Sequence, residues 1–201
     1  MVLGLSKTCL GIDIGSFSIK IVELSRFGKK IKVENYIQFQ VPSENDSLFR
    51  VFGEKNLLLL SDKMAEILDA LLKKAGIREK KAFLSVPDFS TFFTTFELPP
   101  MTMSEIPKAV EFEARHHIPF PLSEVTFDWQ TIKIEEELGG RKSHKVLLVA
   151  VPKKVIQQYE RIANLSNIRI KGLEAEAFAL MRSSVEETEK ENTICLVDIG
   201  Y

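Results

Sequence analysis

Apolar and polar positions alternate in short stretches at the start of the chain. Thr8 to Asp13 is apolar enough for a buried strand. Ser18 to Ser25 puts Ile19, Ile21 and Phe17 on one side and Lys20 and Val22 on the other. Ile31 to Phe39 alternates again, through Ile31, Val33, Asn35, Ile37 and Phe39. A period of two marks half-buried strands, and the charged stretch Arg26-Phe27-Gly28-Lys29-Lys30 turns the chain between two of them. A three-strand meander is predicted. Pro42 to Asn56 is polar and irregular and reads as a loop.

The period then changes. After Ser61, a candidate N-cap, Met64, Ile67, Leu68, Leu71, Leu72 and Ala75 recur at helical spacing, and Gly76 is placed to end the helix. Lys81 to Val86 predicts a fourth strand, stopped by Pro87. A second unit begins near Asp88. Its predicted elements are a strand over Thr91 to Leu98, a helix over Ser104 to His117, and strands over Val125 to Ile134 and Lys145 to Val151. Pro107 is tolerated because it lies in the first helical turn. Glu135 to Ser143 reads as a charged loop. A helix over Pro152 to Leu165 presents Val155, Ile156, Tyr159, Ile162 and Ala163 on one face. A strand over Ile168 to Leu173, a helix over Glu174 to Val185 facing inward through Ala177, Leu180 and Met181, an acidic connector over Glu186 to Asn192, and a last strand over Thr193 to Tyr201 complete the pattern.

Composition narrows the function classes. With 201 residues the chain can form one large domain or two small ones. Its 27 basic and 28 acidic side chains nearly cancel, which argues against a general nucleic-acid binder. The longest apolar run, Val146 to Val151, is far short of the ~20 residues a membrane span needs. The N-terminus shows no apolar segment of the secretory kind. Cys9 and Cys195 each lie in an apolar stretch and read as buried thiols rather than a disulfide or metal ligands. That expectation fits a reducing, cytoplasmic compartment.

Two strand ends carry the chemistry. The first predicted strand ends Gly11-Ile12-Asp13-Ile14-Gly15-Ser16, and the last ends Leu196-Val197-Asp198-Ile199-Gly200-Tyr201. Such an ending puts a carboxylate at a sheet rim, and the glycine lets backbone amides approach an anion. A carboxylate beside a phosphate cradle acts on Mg²⁺, directly or through water. Ser16 adds a hydroxyl, and Lys20 aims an ammonium back at the same turn. One Asp-x-Gly is weak as a signal, because it is also a common turn. Two strand-terminal copies, the first followed by Ser and Lys, are much stronger.

The spacing Asp13-x-Gly15-Ser16-x-x-x-Lys20 resembles the first phosphate loop of the actin-like ATPase superfamily, and Asp198-Ile199-Gly200 looks like the start of its second. Within it, the chain is similar to the PilM family of cytoplasmic type IV pilus assembly proteins. The opening with Lys20-Ile21-Val22-Glu23-Leu24 carries the likeness. So do Glu111-Phe112-Glu113-Ala114-Arg115, Ile118-Pro119-Phe120-Pro121-Leu122, Phe127-Asp128-Trp129, Ser85-Val86-Pro87 and Val149-Ala150-Val151-Pro152.

The resemblance implies an α/β fold with mixed sheets. Residues 1–88 and 169–201 would form an actin-like, ribonuclease H-like subdomain 1A, and residues 89–168 an inserted 1C subdomain. It implies ATP and Mg²⁺ held by Asp13, Gly15, Ser16, Lys20, Asp198 and Gly200, with Asp13 and Asp198 acting on the metal through water. It implies a partner as well, the N-terminal cytoplasmic tail of the membrane protein PilN, docked between 1A and 1C. The protein would then sit in an inner-membrane assembly platform, reached through that partner, with self-association a further partner class. Any ATP turnover would be slow and serve switching. Because the chain ends inside the second phosphate loop, the expectation is a missing second lobe and weak or no ATP binding by these residues alone.

Simpler readings stand beside these. His116 and His117 point about 100° apart on a helix and do not make a metal pair. Phe92, Phe93 and Phe96 read as core or contact residues rather than base-stacking ones, and Trp129 as packed. Leu57 to Leu60 reads as a buried lead-in to the following helix. A small-molecule kinase of the same superfamily and an FtsA-like membrane-tethered filament protein are the competing functions.

Overall fold

The computed structural model describes residues 7–15, 18–40, 52–53, 56–57, 61–136, 142–185 and 193–198. The elements in chain order are strands β1 (Lys7–Ile14), β2 (Ser18–Phe27), β3 (Lys30–Gln40), β4 (Phe52–Gly53) and β5 (Asn56–Leu57), then helix α1 (Ser61–Lys74). There follow β6 (Lys81–Val86), β7 (Phe92–Leu98), α2 (Ile106–His117), β8 (Val125–Glu136), β9 (Lys142–Pro152), α3 (Lys153–Leu165), β10 (Arg169–Ala175) and α4 (Glu176–Ser184). The chain divides into two compact units, residues 1–88 with 158–201, and residues 89–157.

The first unit is built on a five-stranded sheet in the order β10-β6-β1-β2-β3. The predicted meander is present, since β1 pairs antiparallel with β2 and β2 with β3. β6 and β10 join on the other side, each parallel to its neighbour. Alternation decides which face is buried. Leu10, Ile12, Ile14, Ile19, Ile21, Ala82, Leu84 and Val86 lie at every second position and are buried. On α1 the buried stripe is Met64, Ala65, Leu68, Leu71 and Leu72. Gly76 ends the helix in the left-handed region at φ +67°, where a side chain would be strained. Asn35 of β3 donates to the Ala75 carbonyl, which ties the sheet to that helix end.

From α3, Tyr159, Ile162 and Ala163 are buried, as their spacing predicts. Arg161 pairs with Asp62 at 3.0 Å, and Ser166 Oγ donates to the Ala65 carbonyl at 3.2 Å, so this part of the chain is fastened to α1. At the start of β6, Glu79 accepts from the Lys80 and Lys81 amides, each at 2.9 Å, and from Thr8 Oγ1 at 2.8 Å.

The second unit is a three-stranded antiparallel sheet, β7-β9-β8, with α2. Its core comprises Phe96, Leu98, Ile106, Val110, Ala114, Ile118, Val125, Val146, Leu148 and Ala150. Phe92, Phe127 and Trp129 pack against it half-buried, which agrees with the packed readings of Phe92, Phe96 and Trp129. A turn precedes α2, where the Thr102 amide and hydroxyl both donate to Glu105 Oε2, at 2.8 and 2.7 Å. His117 stacks on Phe96 at 4.7 Å between centroids, while His116 meets Phe112 edge-on. The two imidazoles therefore go to different neighbours.

Five expectations are corrected. The predicted loop over Pro42 to Asn56 contains β4, which pairs with β5; the rest of that stretch lies outside the described residues. The charged loop over Glu135 to Ser143 is shorter than predicted, because the β8–β9 ladder continues through Glu135–Ser143 and Glu136–Lys142. Backbone pairing outweighs the polarity of the sequence there. On α4, Ala177 is exposed, Met181 is 49% exposed, and none of the helix is fully buried. The apolar stripe lacks a covering surface among the described residues.

The last predicted strand is not formed over its described residues, 193–198. Residues 193–198 join no ladder, and Val197 is 75% exposed. A continuous apolar run forms a strand only with a paired edge and cover on both faces. Cys195 is consequently exposed rather than buried, while Cys9 is half-buried; both are free thiols. The connector over Glu186 to Asn192 and residues Leu58 to Leu60 lie outside the described residues.

Candidate functional site

Parallel strands align their chain directions, so β1, β6 and β10 all run out at one edge of the first sheet. In open α/β sheets, that carboxyl edge is where ligands bind. Asp13 ends β1, Ser85 sits near the end of β6, and Glu174 lies near the end of β10. Register sets these residues beside one another. Glu174 is opposite Ser85, Asp13 is opposite Lys20, and Lys20 is opposite Gln38. A polar row thus crosses all five strands just below the edge.

Within that row the side chains meet. Ser85 Oγ donates to Asp13 Oδ1 at 2.7 Å, and Lys20 Nζ lies 3.3 Å from Asp13 Oδ2. The Lys20 side chain is 59% exposed, so its ion pair is screened by water and contributes little to stability. An incoming anion can take over the ammonium at small cost. The β1–β2 turn is tight. The Gly15 amide donates to the Ser18 carbonyl at 2.9 Å, and a Cβ on Gly15 would stand 3.2 Å from that oxygen. This amide closes the sharp turn that the glycine permits.

Further carboxylates gather here. Asp88 Oδ1 accepts from the Ala177 amide at 3.3 Å and so caps α4. Glu176 is the first residue of α4. A helix N-terminus favours a carboxylate, yet its carboxyl is held above the ordinary glutamate range. Burial is the main cause, followed by the negative charges of Asp13, Asp88 and Asp198; Lys20 opposes them. Desolvation and like charge outweigh the helix dipole. Tyr159 adds a buried hydroxyl without a hydrogen-bond partner among the described residues. Its phenol is pushed up by burial first, then by Asp13 and Glu176.

The site residues read from the sequence divide accordingly. Asp13 and Lys20 are brought together, and Gly15 forms the turn beside them. Asp198 lies in the exposed stretch 193–198, near enough to raise Glu176. Ser16 and Gly200 lie outside the described residues. Ser85, Asp88, Tyr159 and Glu176 were not singled out from sequence. The signal that could have found Ser85 and Glu176 is their place at the ends of two further strands.

The charge balance sets the chemistry. A bare anion would be repelled by Asp13, Asp88, Asp198 and Glu176. An anion arriving with a divalent cation would relieve the same repulsion. No three Asp, Glu, His or Cys among the described residues are grouped to ligate a metal directly. The residues therefore fit a cation held through water and ligand oxygens better than one held by protein alone.

Comparison with known proteins bears on this geometry. A family model described as type IV pilus assembly protein PilM matches residues 11–201. Among solved structures, the chain is similar to one from a PilM–PilN type IV pilus biogenesis complex, with 20% identity and a TM-score of 0.71, over 87% of this chain and 49% of that one. The cytoplasmic domain of EpsL, an inner-membrane component of the type II secretion system of Vibrio cholerae, is matched at 12% identity and a TM-score of 0.47, over 84% of this chain and 57% of that one. A Bacteroides thetaiotaomicron protein with an actin-like ATPase fold and unknown function is matched at 10% identity and a TM-score of 0.42, over 88% of this chain and 55% of that one. The chain spans about half the length of the solved structures it matches.

Proposed function

Because this chain belongs to the type IV pilus assembly protein PilM family, we propose that it forms an actin-like lobe that, in the full-length protein, binds Mg²⁺-ATP and that docks a PilN-like partner. In this reading residues 1–88 and 169–201 are subdomain 1A and residues 89–168 are subdomain 1C. The observation that carries the nucleotide part is the Asp13–Lys20–Ser85 cluster at the carboxyl edge of three parallel strands, with Glu176 raised by burial first and then by the carboxylates around it.

Lys20 and the β1–β2 turn with Gly15 and Ser16 receive phosphate. Asp198 and Gly200 would belong to the same site, as the resemblance implies. Asp13 and Asp198 would hold Mg²⁺ through water, and the metal would neutralise charge on the phosphates. Ser85 orients the Asp13 carboxylate. Glu176, partly desolvated, holds a proton or a water at the same edge. Such a site suits slow turnover coupled to switching.

The partner part rests on family membership and on the likeness to a chain of a solved PilM–PilN complex. No helix among the described residues is long and apolar enough to cross a membrane. The proposed route to the inner-membrane platform is the cytoplasmic tail of a PilN-like protein.

Calorimetric titration of the full-length protein tests both parts. A peptide of a PilN-like N-terminal cytoplasmic tail should bind; no heat of binding overturns the partner reading. Mg²⁺-ATP should bind more tightly than ATP with chelated metal, and Asp13→Ala should abolish the difference. Unchanged nucleotide affinity in Asp13→Ala removes Asp13 from the site.

A further inference from the structure

We propose that the turn joining β2 and β3 docks on an anionic phospholipid bilayer. Residues 26–33 read Arg-Phe-Gly-Lys-Lys-Ile-Lys-Val, four cations without an acid, in a chain whose formal net charge is −1. The surplus is therefore local. Apolar side chains are interleaved with it and stand in solvent: Phe27 is 65% exposed, Ile31 68% and Val33 55%. Scattered exposed apolar residues need no explanation, but these three fall within one charged turn.

The turn is ordered for the task. Gly28 takes φ +61°, and Arg26 Nε donates to its carbonyl at 2.9 Å. Phe27 is opposite Lys30, and Arg26 is opposite Ile31. Cross-strand partners share a face and successive residues alternate. Each face of the narrow tip thus carries one apolar side chain beside one cation. The nearest acid beyond the stretch, Glu34, is already bound by Lys32 Nζ at 2.6 Å and by Ser25 Oγ. Among the described residues, Lys29 and Lys30 have no acidic partner.

This arrangement favours a bilayer over an acidic protein. A peptide partner would want a groove, whereas a turn with apolar groups on both faces is convex. Insertion of Phe27 and Ile31 at the headgroup level would bring Arg26, Lys29 and Lys30 to the phosphates. The proposal stands apart from the nucleotide and PilN readings and would hold or fail without them.

Flotation of the full chain with vesicles of phosphatidylglycerol and phosphatidylethanolamine tests it, against vesicles of phosphatidylcholine alone. The protein should float with the anionic vesicles, stay behind with the neutral ones, and be released by high salt. Each cation at such a surface is worth roughly a fivefold gain, so K29E/K30E should weaken partitioning by about 25-fold or more. F27S/I31S should cost roughly tenfold or more. K153E/K154E, at exposed lysines elsewhere, should change little. All these side chains are exposed, and an unshifted thermal melt verifies that each variant is folded. Absence from anionic vesicles overturns the proposal, as does binding that K29E/K30E leaves unchanged. Equal capture by soluble polyglutamate points to an acidic protein surface and overturns it too.

Discussion

Asp13 shows how a single carboxylate can be set by three separated segments. Its own strand places it at the rim, β2 brings Lys20, and β6 brings Ser85. Replacing Ser85 by Ala should leave Asp13 Oδ1 without that donor and cost about 1 kcal/mol, read from urea denaturation. Two glutamates of the same unit predict opposite pH behaviour. Glu79 is held below the ordinary glutamate range, chiefly by the Lys81 amide. It stabilises the fold above that range, and the contribution is lost as pH falls through its lowered value. Glu176 is held above the range by burial and neighbouring carboxylates. Its contribution is complete below the ordinary value and is lost as pH rises through the raised one. At neutral pH, Glu79→Gln should therefore lower the melting temperature and Glu176→Gln raise it. Melts from acid to neutral pH check both signs.

At the scale of elements, local chemistry and tertiary cover decided different things. The meander, α1, α2 and α3 follow from period and punctuation alone. Gly76 is one such stop. Gly76→Ala should cost about 1–2 kcal/mol, since the left-handed backbone then carries a Cβ; a denaturant melt measures it. Elements that needed a neighbour were misjudged. The β8–β9 ladder ran further than its polarity suggested because each strand supplied the other's hydrogen bonds. Residues 193–198 carry an apolar run with no ladder to receive it. On α4 the apolar stripe is left half-open for the same reason. Periodicity reports what a segment can bury, and another segment decides whether it does.

For the whole molecule, two compact units with distinct cores predict additive energetics. Leu68→Ala in the first unit and Leu148→Ala in the second should each cost about 2–5 kcal/mol. The double variant should equal their sum within ~0.5 kcal/mol, because each residue belongs to the core of its own unit. A large coupling energy from the four-member cycle would mean that the units stabilise one another.

Residue type and spacing alone determined that this is an α/β chain with two Asp-x-Gly motifs, the first at a strand end with a Lys in reach, and the marks of the PilM family. These signals are local, because turns, helix stripes and motif spacings are set within a dozen residues. The tertiary structure decided that Ser85, Asp88, Tyr159 and Glu176 attend Asp13, and that Gly15 spends its amide on closing the turn. It also decided that one sheet face is buried while the β2–β3 turn stands in solvent. Those outcomes depend on parallel register between strands more than 70 positions apart in the chain, as the Ser85–Asp13 bond is. No short-range pattern carries that register. Packing sets it, by burying the alternate rows Leu10–Ile12–Ile14 of β1 and Ala82–Leu84–Val86 of β6 together.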